Sequence, residues 1–432
     1  MPKSEVSLGL DFGTSNSAIA AVQGDELKVI PVQRGSLSQP SCIFVDASQL
    51  FNSVGYAAIT FFKDPDKPDN FHFIPSIKPG LPNPDYDGIS LRSRTIKYCG
   101  QPKVTHYSPV ALTEMVLQDL RRFANRYLDQ TVENVVLGRP VRFSEKDPED
   151  QIAQQRLERA AHNSGFQNIK FMYEPVAAAL DYTRRHSFYG RNILIFDFGG
   201  GTLDVACLNM SATAQLNEKS LSSQVLAVHG IDIGGTDLDK HIFKSKVEPL
   251  LGRDVKWADG LPVPAHLFAD ITEWHLVNTA EKQEKTRDLN YILRNRCSDS
   301  TRLRRLLMML ETQHIFGVLQ AIEKAKIDLS TTEQTRIEYT ADGMRINMPI
   351  TRREFDLMMR QEKREIELCI EECLRRAQLT PDNIAIALKV GGSSNNVFVN
   401  EILSKYFDTV EESDIFNSVV GGLAIAAREL FR

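Results

Sequence analysis

One short pattern occurs twice in this chain, close to half its length apart. Ser7-Leu8-Gly9-Leu10-Asp11-Phe12-Gly13-Thr14-Ser15-Asn16-Ser17-Ala18-Ile19 runs from an apolar strand through a tight turn into a second strand. Ile193-Leu194-Ile195-Phe196-Asp197-Phe198-Gly199-Gly200-Gly201-Thr202-Leu203-Asp204-Val205 does the same. Either copy alone reads as an Asp-Gly hairpin. Two copies, each leaving an apolar strand for a β-rich one, predict two domains that share a fold and face each other. The length of 432 residues agrees, being too great for one small core.

The residue types in the two turns suit a polyphosphate. Glycine at 13, 199, 200 and 201 lets backbone N–H groups approach phosphate oxygens without a side chain between. The hydroxyls of Thr14, Ser15 and Thr202 add donors. Asp11 and Asp197 end their strands where each could hold a hydrated Mg²⁺, which binds through one or two carboxylates plus phosphate. Facing hairpins would clamp the phosphates from both sides, a positioning and charge-neutralising arrangement. No G-x-x-x-x-G-K-[ST] is present, and neither turn has the G-x-G-x-x-G spacing of a dinucleotide site.

Bulk properties remove other classes. The net charge is -5 with no long run of Lys or Arg, so nucleic acid and anionic membrane are poor partners. The triplet Arg302, Arg304 and Arg305 reads as a solvated helix face. No stretch approaches the roughly 20 apolar residues of a membrane span, and the N-terminus has no apolar signal core. The expected compartment is the cytoplasm. Cysteines at 42, 99, 207, 297, 369 and 373 form no disulfide framework, and Cys369 and Cys373 read as small residues on one helix face. The histidines form no cluster of the kind a catalytic zinc needs.

At this point the sequence resembles the nucleotide-binding domain of the seventy-kilodalton heat-shock chaperones (DnaK-like), above all their YegD-like branch. The two hairpins match in the family's order, with Tyr173-Glu174-Pro175-Val176-Ala177-Ala178-Ala179 between them. Ile233-Gly234-Gly235-Thr236-Asp237, Glu323-Lys324-Ala325-Lys326-Ile327-Asp328-Leu329-Ser330 and Val390-Gly391-Gly392-Ser393-Ser394 follow. Gly138-Arg139-Pro140-Val141 and the Trp274-His275 stretch carry the YegD likeness. The resemblance implies an α/β, actin-like ATPase fold (ribonuclease H-like, duplicated), with two lobes around a nucleotide cleft. The lobes are expected over 1–186 and 187–432, each with a mixed five-stranded sheet, and an insertion near 252–316 that includes Trp257, Trp274 and His275.

The resemblance also implies roles. Asp11 and Asp197 would hold Mg²⁺. Gly13, Thr14, Ser15, Gly199, Gly200, Gly201 and Thr202 would cradle the phosphates of ATP or ADP, with Gly234 and Gly235 alongside. Lys78 and Glu174 would be catalytic, with Asp197 and Thr202: Lys78 on charge at the transferring phosphoryl group, Glu174 on the attacking water. Glu323, Lys326 and Ser330 would contact ribose and adenine from one helical face, and Gly391, Gly392 and Asn395 would pass close to the nucleoside. Two arginines that sandwich adenine in the family are replaced by Ile327 and Asn395. Pro140 matches the family's proline switch, but its arginine partner is not cleanly matched where the helix reads Gln155-Arg156-Leu157-Glu158-Arg159. The chain stops at Ala426-Ala427-Arg428-Glu429-Leu430-Phe431-Arg432, where the helix closing the second domain is expected to end. A peptide-binding domain is therefore expected to be absent.

The expected function is a weak, Mg²⁺-dependent ATPase of chaperone-like type. The alternatives are a nucleotide-binding regulatory or structural module without hydrolysis, and a phosphotransferase of the sugar- or acetate-kinase type. A protein partner of unknown identity is possible on the insertion. Arg353 to Gln378 reads as one amphipathic helix through Phe355, Met359, Ile366, Ile370 and Leu374, ended near Thr380-Pro381. Lys63 to Asn70 and Pro82 to Asp85 read as Pro/Asp-rich loops.

Overall fold

The computed structural model describes residues 6–46, 51–64, 66, 71–98, 101–188, 190–209, 224–256, 260–269, 271–272, 280–295, 300–311, 314–341, 343–414 and 417–431. They form two compact units, one of Met1–Gly235 with Arg364–Arg432 and one of Thr236–Lys363. Trp257, Trp274, His275, Cys99 and Cys297 lie outside the described residues, as does most of the Lys63 to Asn70 loop.

The first unit contains two sheets built to one plan. In the first sheet Ser7–Phe12 pairs antiparallel with Asn16–Gln23, which pairs with Glu26–Val29. On its other side Ser7–Phe12 pairs parallel with Asn134–Arg139, and that strand with Asn168–Tyr173. In the second sheet Asn192–Phe198 pairs antiparallel with Leu203–Asn209, and that strand with Val225–Ile231. Ile386–Val390 and Val410–Glu412 extend it in parallel on the other side. Both sheets thus run third, second, first, fourth, fifth, each strand numbered by its turn in the chain. The first sheet departs from the expected five strands, because the short Gln39–Pro40 also pairs with the hairpin's second strand.

The first strand of each sheet is buried on both faces: Asn192–Phe198 accordingly carries the continuous apolar run Ile193 to Phe196, whereas Ser7–Phe12 alternates Leu8, Leu10 and Phe12 with the small Ser7 and Gly9 and with Asp11. Helices Glu174–His186 and Ser418–Leu430 supply much of the cover. One core joins Val136 and Met172 of the first sheet, Ile193, Ile195 and Leu388 of the second, and Val176, Leu180, Leu423 and Ala426 of the helices. The helices cross at small residues. A Cβ added at Gly422 would lie 1.7 Å from the carbonyl oxygen of Ala177, and one at Gly9 would lie 2.2 Å from the amide nitrogen of Ala424. Helix Ser418–Leu430 therefore rests almost backbone to backbone on the strand that carries Asp11.

The second unit holds the two-stranded sheet Gln334–Ala341 with Met344–Thr351, helix His314–Asp328 and helices Ala280–Asn295 and Ser300–Glu311. Arg302 pairs with Asp254 at 2.7 Å, and Arg304 and Arg305 are exposed, as on a solvated face. The amphipathic segment is two helices, Arg352–Met358 and Arg360–Ala377, where one was expected. The break falls at Met359 (φ -90°, ψ 15°), yet Phe355, Met359, Ile366, Ile370 and Leu374 are all buried. Apolar spacing survives a one-residue interruption, so it does not reveal one. Helix His314–Asp328 ends before Ser330, which sits in the following turn and not on the helical face with Glu323 and Lys326. Among the described residues no helix is long and apolar enough to cross a membrane.

Candidate active site

The two hairpins meet inside the first unit. Gly199 N–H donates to the carbonyl of Thr202 at 3.0 Å, closing the second turn. A Cβ at Gly200 would lie 2.9 Å from Ser15 Oγ, and one at Gly201 would lie 2.8 Å from Thr14 Oγ1. The hydroxyls of the first turn thus face bare backbone of the second. Ser41 braces the first turn: its Oγ donates to the carbonyl of Gly13 at 2.7 Å and its N–H to that of Ser15 at 2.9 Å. Gly235 N–H donates to the carbonyl of Gly199 at 3.0 Å, and a Cβ at Gly234 would lie 2.4 Å from the carbonyl oxygen of Gly200. Gly391, at φ 80°, passes so close that a Cβ would lie 2.9 Å from Asp197 Oδ1. Only glycine combines that backbone angle with that approach.

Charge converges on the same place. Lys78 opens the turn Lys78–Gly80 after Ile77, and its Nζ donates to Glu174 Oε1 at 2.9 Å with both side chains almost wholly buried. Glu174 is the first residue of helix Glu174–His186, directly after strand Asn168–Tyr173. Arg156, on helix Asp147–Asn163, reaches the Lys78 loop: its guanidinium donates to the carbonyls of Gly80, Leu81, Asn83 and Tyr86 at 3.3, 2.9, 2.8 and 3.1 Å.

Burial pushes the carboxyl of Asp11 up to about 7, Glu174 pushing the same way and Lys78 opposing. Asp197 is raised well above its ordinary value by burial first, then by Glu174, Asp204 and Asp11. Burial and Glu174 also raise Asp204 to about 7, against hydrogen bonds from Thr202 and Val141. Thr202 Oγ1 donates to Asp204 Oδ2 at 2.9 Å, and Val141 N–H donates to Asp204 Oδ1 at 2.7 Å. Asp204 escaped the sequence reading as a site residue. Its signal was present, two positions beyond Thr202 on a strand, where side chains return to the same side.

Several buried carboxylates beside one lysine form a set of hard oxygen donors that a divalent cation would satisfy. Among the described residues no three His, Cys, Asp or Glu groups converge as a complete protein cage. A cation here would be held through one or two carboxylates with the remaining ligands from phosphate and water, the usual habit of Mg²⁺.

The base-side candidates are split between the units. In the second, Lys326 Nζ lies 2.8 Å from Asp239 Oδ1 and both residues are buried, whereas Glu323 and Ile327 are exposed. Burial raises Asp239 to about 7, with Lys326 opposing. In the first, Gly392 opens the turn Gly392–Asn395, where Ser394 Oγ donates to the carbonyl of Gly391 at 2.6 Å. Cys369 and Cys373 are buried helix residues, and Cys373 Sγ lies 3.8 Å from Cys207 Sγ.

Two sheets of one strand order, whose first hairpins face each other over buried carboxylates, define a duplicated α/β protein. The family model described as "Hsp70 protein" matches residues 91–250 and 301–427, and the chain belongs to the Hsp70 family. Its fold is accordingly the actin-like ATPase fold. The chain is 24% identical over 440 residues to "Heat shock 70 kDa protein 2" of Paracoccidioides lutzii, covering 98% of this chain and 57% of that protein. It is 24% identical over 431 residues to "Chaperone protein DnaK" of Nitrosopumilus maritimus (97% and 55%). The protein of the same name from Cenarchaeum symbiosum is 25% identical over 430 residues (97% and 54%). The chain thus spans little more than half the length of the curated relatives it matches.

Proposed function

We propose that this chain is a chaperone-like ATP-binding module of the YegD-like branch that holds ATP or ADP with Mg²⁺ and hydrolyses ATP slowly. The observation that carries this reading is the meeting of Asp11, Asp197 and the Lys78–Glu174 pair beside the facing turns of Thr14-Ser15 and Gly200-Gly201. The lobes of the reading are 1–186 and 187–432, one sheet of the common plan to each. Cytoplasmic residence and an unidentified protein partner belong to the same proposal.

The chemistry follows from the residues. Asp11 and Asp197 would hold the Mg²⁺, which when bound neutralises phosphate charge. The backbone of residues 13–15 and of Gly200 and Gly201 would donate N–H groups to phosphate oxygens, with Gly199 closing the second turn through Thr202, and being already braced needs little reorganisation to do so. Lys78 brings a positive charge toward a transferring phosphoryl group. Glu174, held by Lys78 in the ground state, can accept a hydrogen bond from an attacking water and so orient it. Glu323, Lys326, Ser330, Gly391, Gly392 and Asn395 would contact the nucleoside.

Calorimetry with ADP, with and without Mg²⁺, tests binding, and phosphate release from ATP tests turnover. Mg²⁺-dependent binding with slow release is expected. Binding without any release would make the chain a regulatory module, and phosphate transferred to a sugar or acetate would make it a kinase. No binding of either nucleotide sinks all three.

A further inference from the structure

Arg139 ends the strand Asn134–Arg139, in register with Tyr173 on the neighbouring strand, the residue just before Glu174. Its side chain is only 11% exposed and is heavily used. The guanidinium donates to both oxygens of Asp150 at 2.8 and 2.9 Å, to the carbonyl of Pro140 at 3.0 Å, to that of Val141 at 3.4 Å, and to Gln154 Oε1. Its central carbon also stands 5.1 Å from the ring centroid of Phe143 and 5.5 Å from that of Tyr173. Asp150 Oδ1 in turn accepts from the N–H of Phe143 at 2.7 Å. The segment from Pro140 to Phe143 is therefore pinned at both ends by one ion pair. In its middle, Val141 N–H holds Asp204 Oδ1 at 2.7 Å, and Asp204 Oδ2 accepts from Thr202 Oγ1.

We propose that Arg139, locked by Asp150, is a positioning residue that fixes the carboxylate of Asp204, and through it Thr202, by holding the Val141 N–H in place. The inference rests on the reading of Asp204 and Thr202 as part of a phosphate site. An arginine used only as a loop anchor would need neither the contact from Val141 to a site carboxylate nor a place beside the strand that delivers Glu174. One terminal nitrogen of Arg139 spans both oxygens of Asp150, while Nε holds the carbonyl of Pro140 and the other terminal nitrogen holds Gln154. A planar guanidinium held at three nitrogens is fixed in direction as well as distance, which is the property required to aim a backbone N–H, and lysine, with one nitrogen, cannot hold all three partners.

The test uses the whole chain and the variants Arg139→Met, Arg139→Lys and Asp150→Asn. Met keeps an unbranched stem between the two rings and removes only the charge and the donors. Amide exchange read by mass spectrometry over residues 139–143 reports the Val141 N–H without any ligand. Arg139→Met and Asp150→Asn are expected to speed that exchange by about tenfold or more, with Arg139→Lys between them and wild type. Turnover should fall about tenfold while KM for ATP stays within about threefold, because the aim of Thr202 and Asp204 suffers more than binding does. The decisive arm combines Arg139→Met with Asp204→Ala, where Val141 has no carboxylate to hold. The added acceleration of exchange should then shrink below about twofold, the mark of two residues acting on one contact.

Full acceleration in the Asp204→Ala background overturns the proposal, for Arg139 would then act on the loop alone. A folded Arg139→Met with wild-type exchange and wild-type turnover also overturns it. If Arg139→Met does not fold, Asp150→Asn and Arg139→Lys decide the same question by the same readouts. A wild type that hydrolyses no ATP sinks the function proposed above, while the exchange arm still decides the link from Arg139 to Asp204.

Discussion

Lys78 Nζ lies 2.9 Å from Glu174 Oε1, joining residues far apart in the chain at a place where water scarcely reaches either side chain. Removing one partner leaves a buried charge uncompensated, which destabilises more than removing both. Lys78→Met, which leaves Glu174 among Asp11, Asp197 and Asp204 without that cation, should lower the melting temperature of the nucleotide-free protein. Glu174→Gln should lower it less, because Asp11 and Asp204 still face Lys78, and the double variant should recover much of the Lys78→Met loss. Hydrolysis should fall on the order of 10²-fold in each single variant, while ADP affinity stays within a few-fold, since ADP lacks the transferring group. Equal loss of ADP binding and turnover would show that the pair is structural.

The carboxyls make stability depend on pH in a defined direction. Asp11 and Asp204 ordinarily ionise near 3.8 and are raised to about 7 in the fold, chiefly by burial. Over that window the native state holds protons that the unfolded state has lost. The favourable contribution is therefore complete below the unfolded value and is lost as pH rises through about 7. Nucleotide-free protein should melt at lower temperature at about pH 8 than at about pH 6. Mg²⁺ competes with those protons, so the gain in melting temperature from Mg²⁺ with ADP should be larger at the higher pH. Asp197→Ala should abolish the Mg²⁺-dependent part of the gain. Thermal scans at both pH values, with and without Mg²⁺, decide this.

Ile327 is 60% exposed, and Asn395 is half-buried beside the Gly391-Gly392 turn. Both stand where the family resemblance places adenine-stacking arginines. A guanidinium on a π-face contributes roughly 0.5–2 kcal/mol. Asn395→Arg should then tighten ADP binding by a few-fold to about tenfold, and Ile327→Arg should add to it, with adenine favoured further over guanine. Turnover per bound ATP should hardly change, because the phosphate end is untouched. A folded double variant that binds ADP no better by calorimetry removes both positions from the base site.

Gly422 offers a test of the fold alone. A Cβ there would lie 1.7 Å from the carbonyl oxygen of Ala177, a distance that only movement of one helix can relieve. Gly422→Ala should destabilise at or above the upper end of the roughly 1–3 kcal/mol typical of overpacking. Gly392→Ala makes a control for glycine loss without a clash, since nothing lies within 4 Å of its Cβ position and its φ is not in the left-handed region. Urea unfolding of both variants gives the comparison, and equal stabilities would show that the helices do not cross as described.

What this sequence determined by itself was the local chemistry and its duplication. Two apolar runs, each breaking at Asp-Phe-Gly, carry strand, turn and donor set within about a dozen residues, so local pattern suffices to read them. The common strand order of the sheets was implicit in that repeat. The tertiary structure alone decided which distant groups share a site. Lys78 stands on a short turn with no periodic signal, and only the fold sets it against Glu174. Only the fold brings Val141 N–H and Thr202 Oγ1 to the carboxylate of Asp204. Neither Arg156, in the helix without a clean arginine match, nor Arg139, in the Gly138-Arg139-Pro140-Val141 motif, carries a site role in the sequence pattern, yet one gathers four carbonyls of the Lys78 loop and the other locks onto Asp150. Hydrogen bonds between residues remote in sequence leave no spacing for pattern to detect. Burial, which raises Asp11, Asp197 and Asp204 together, belongs to the packed assembly and to no segment of it.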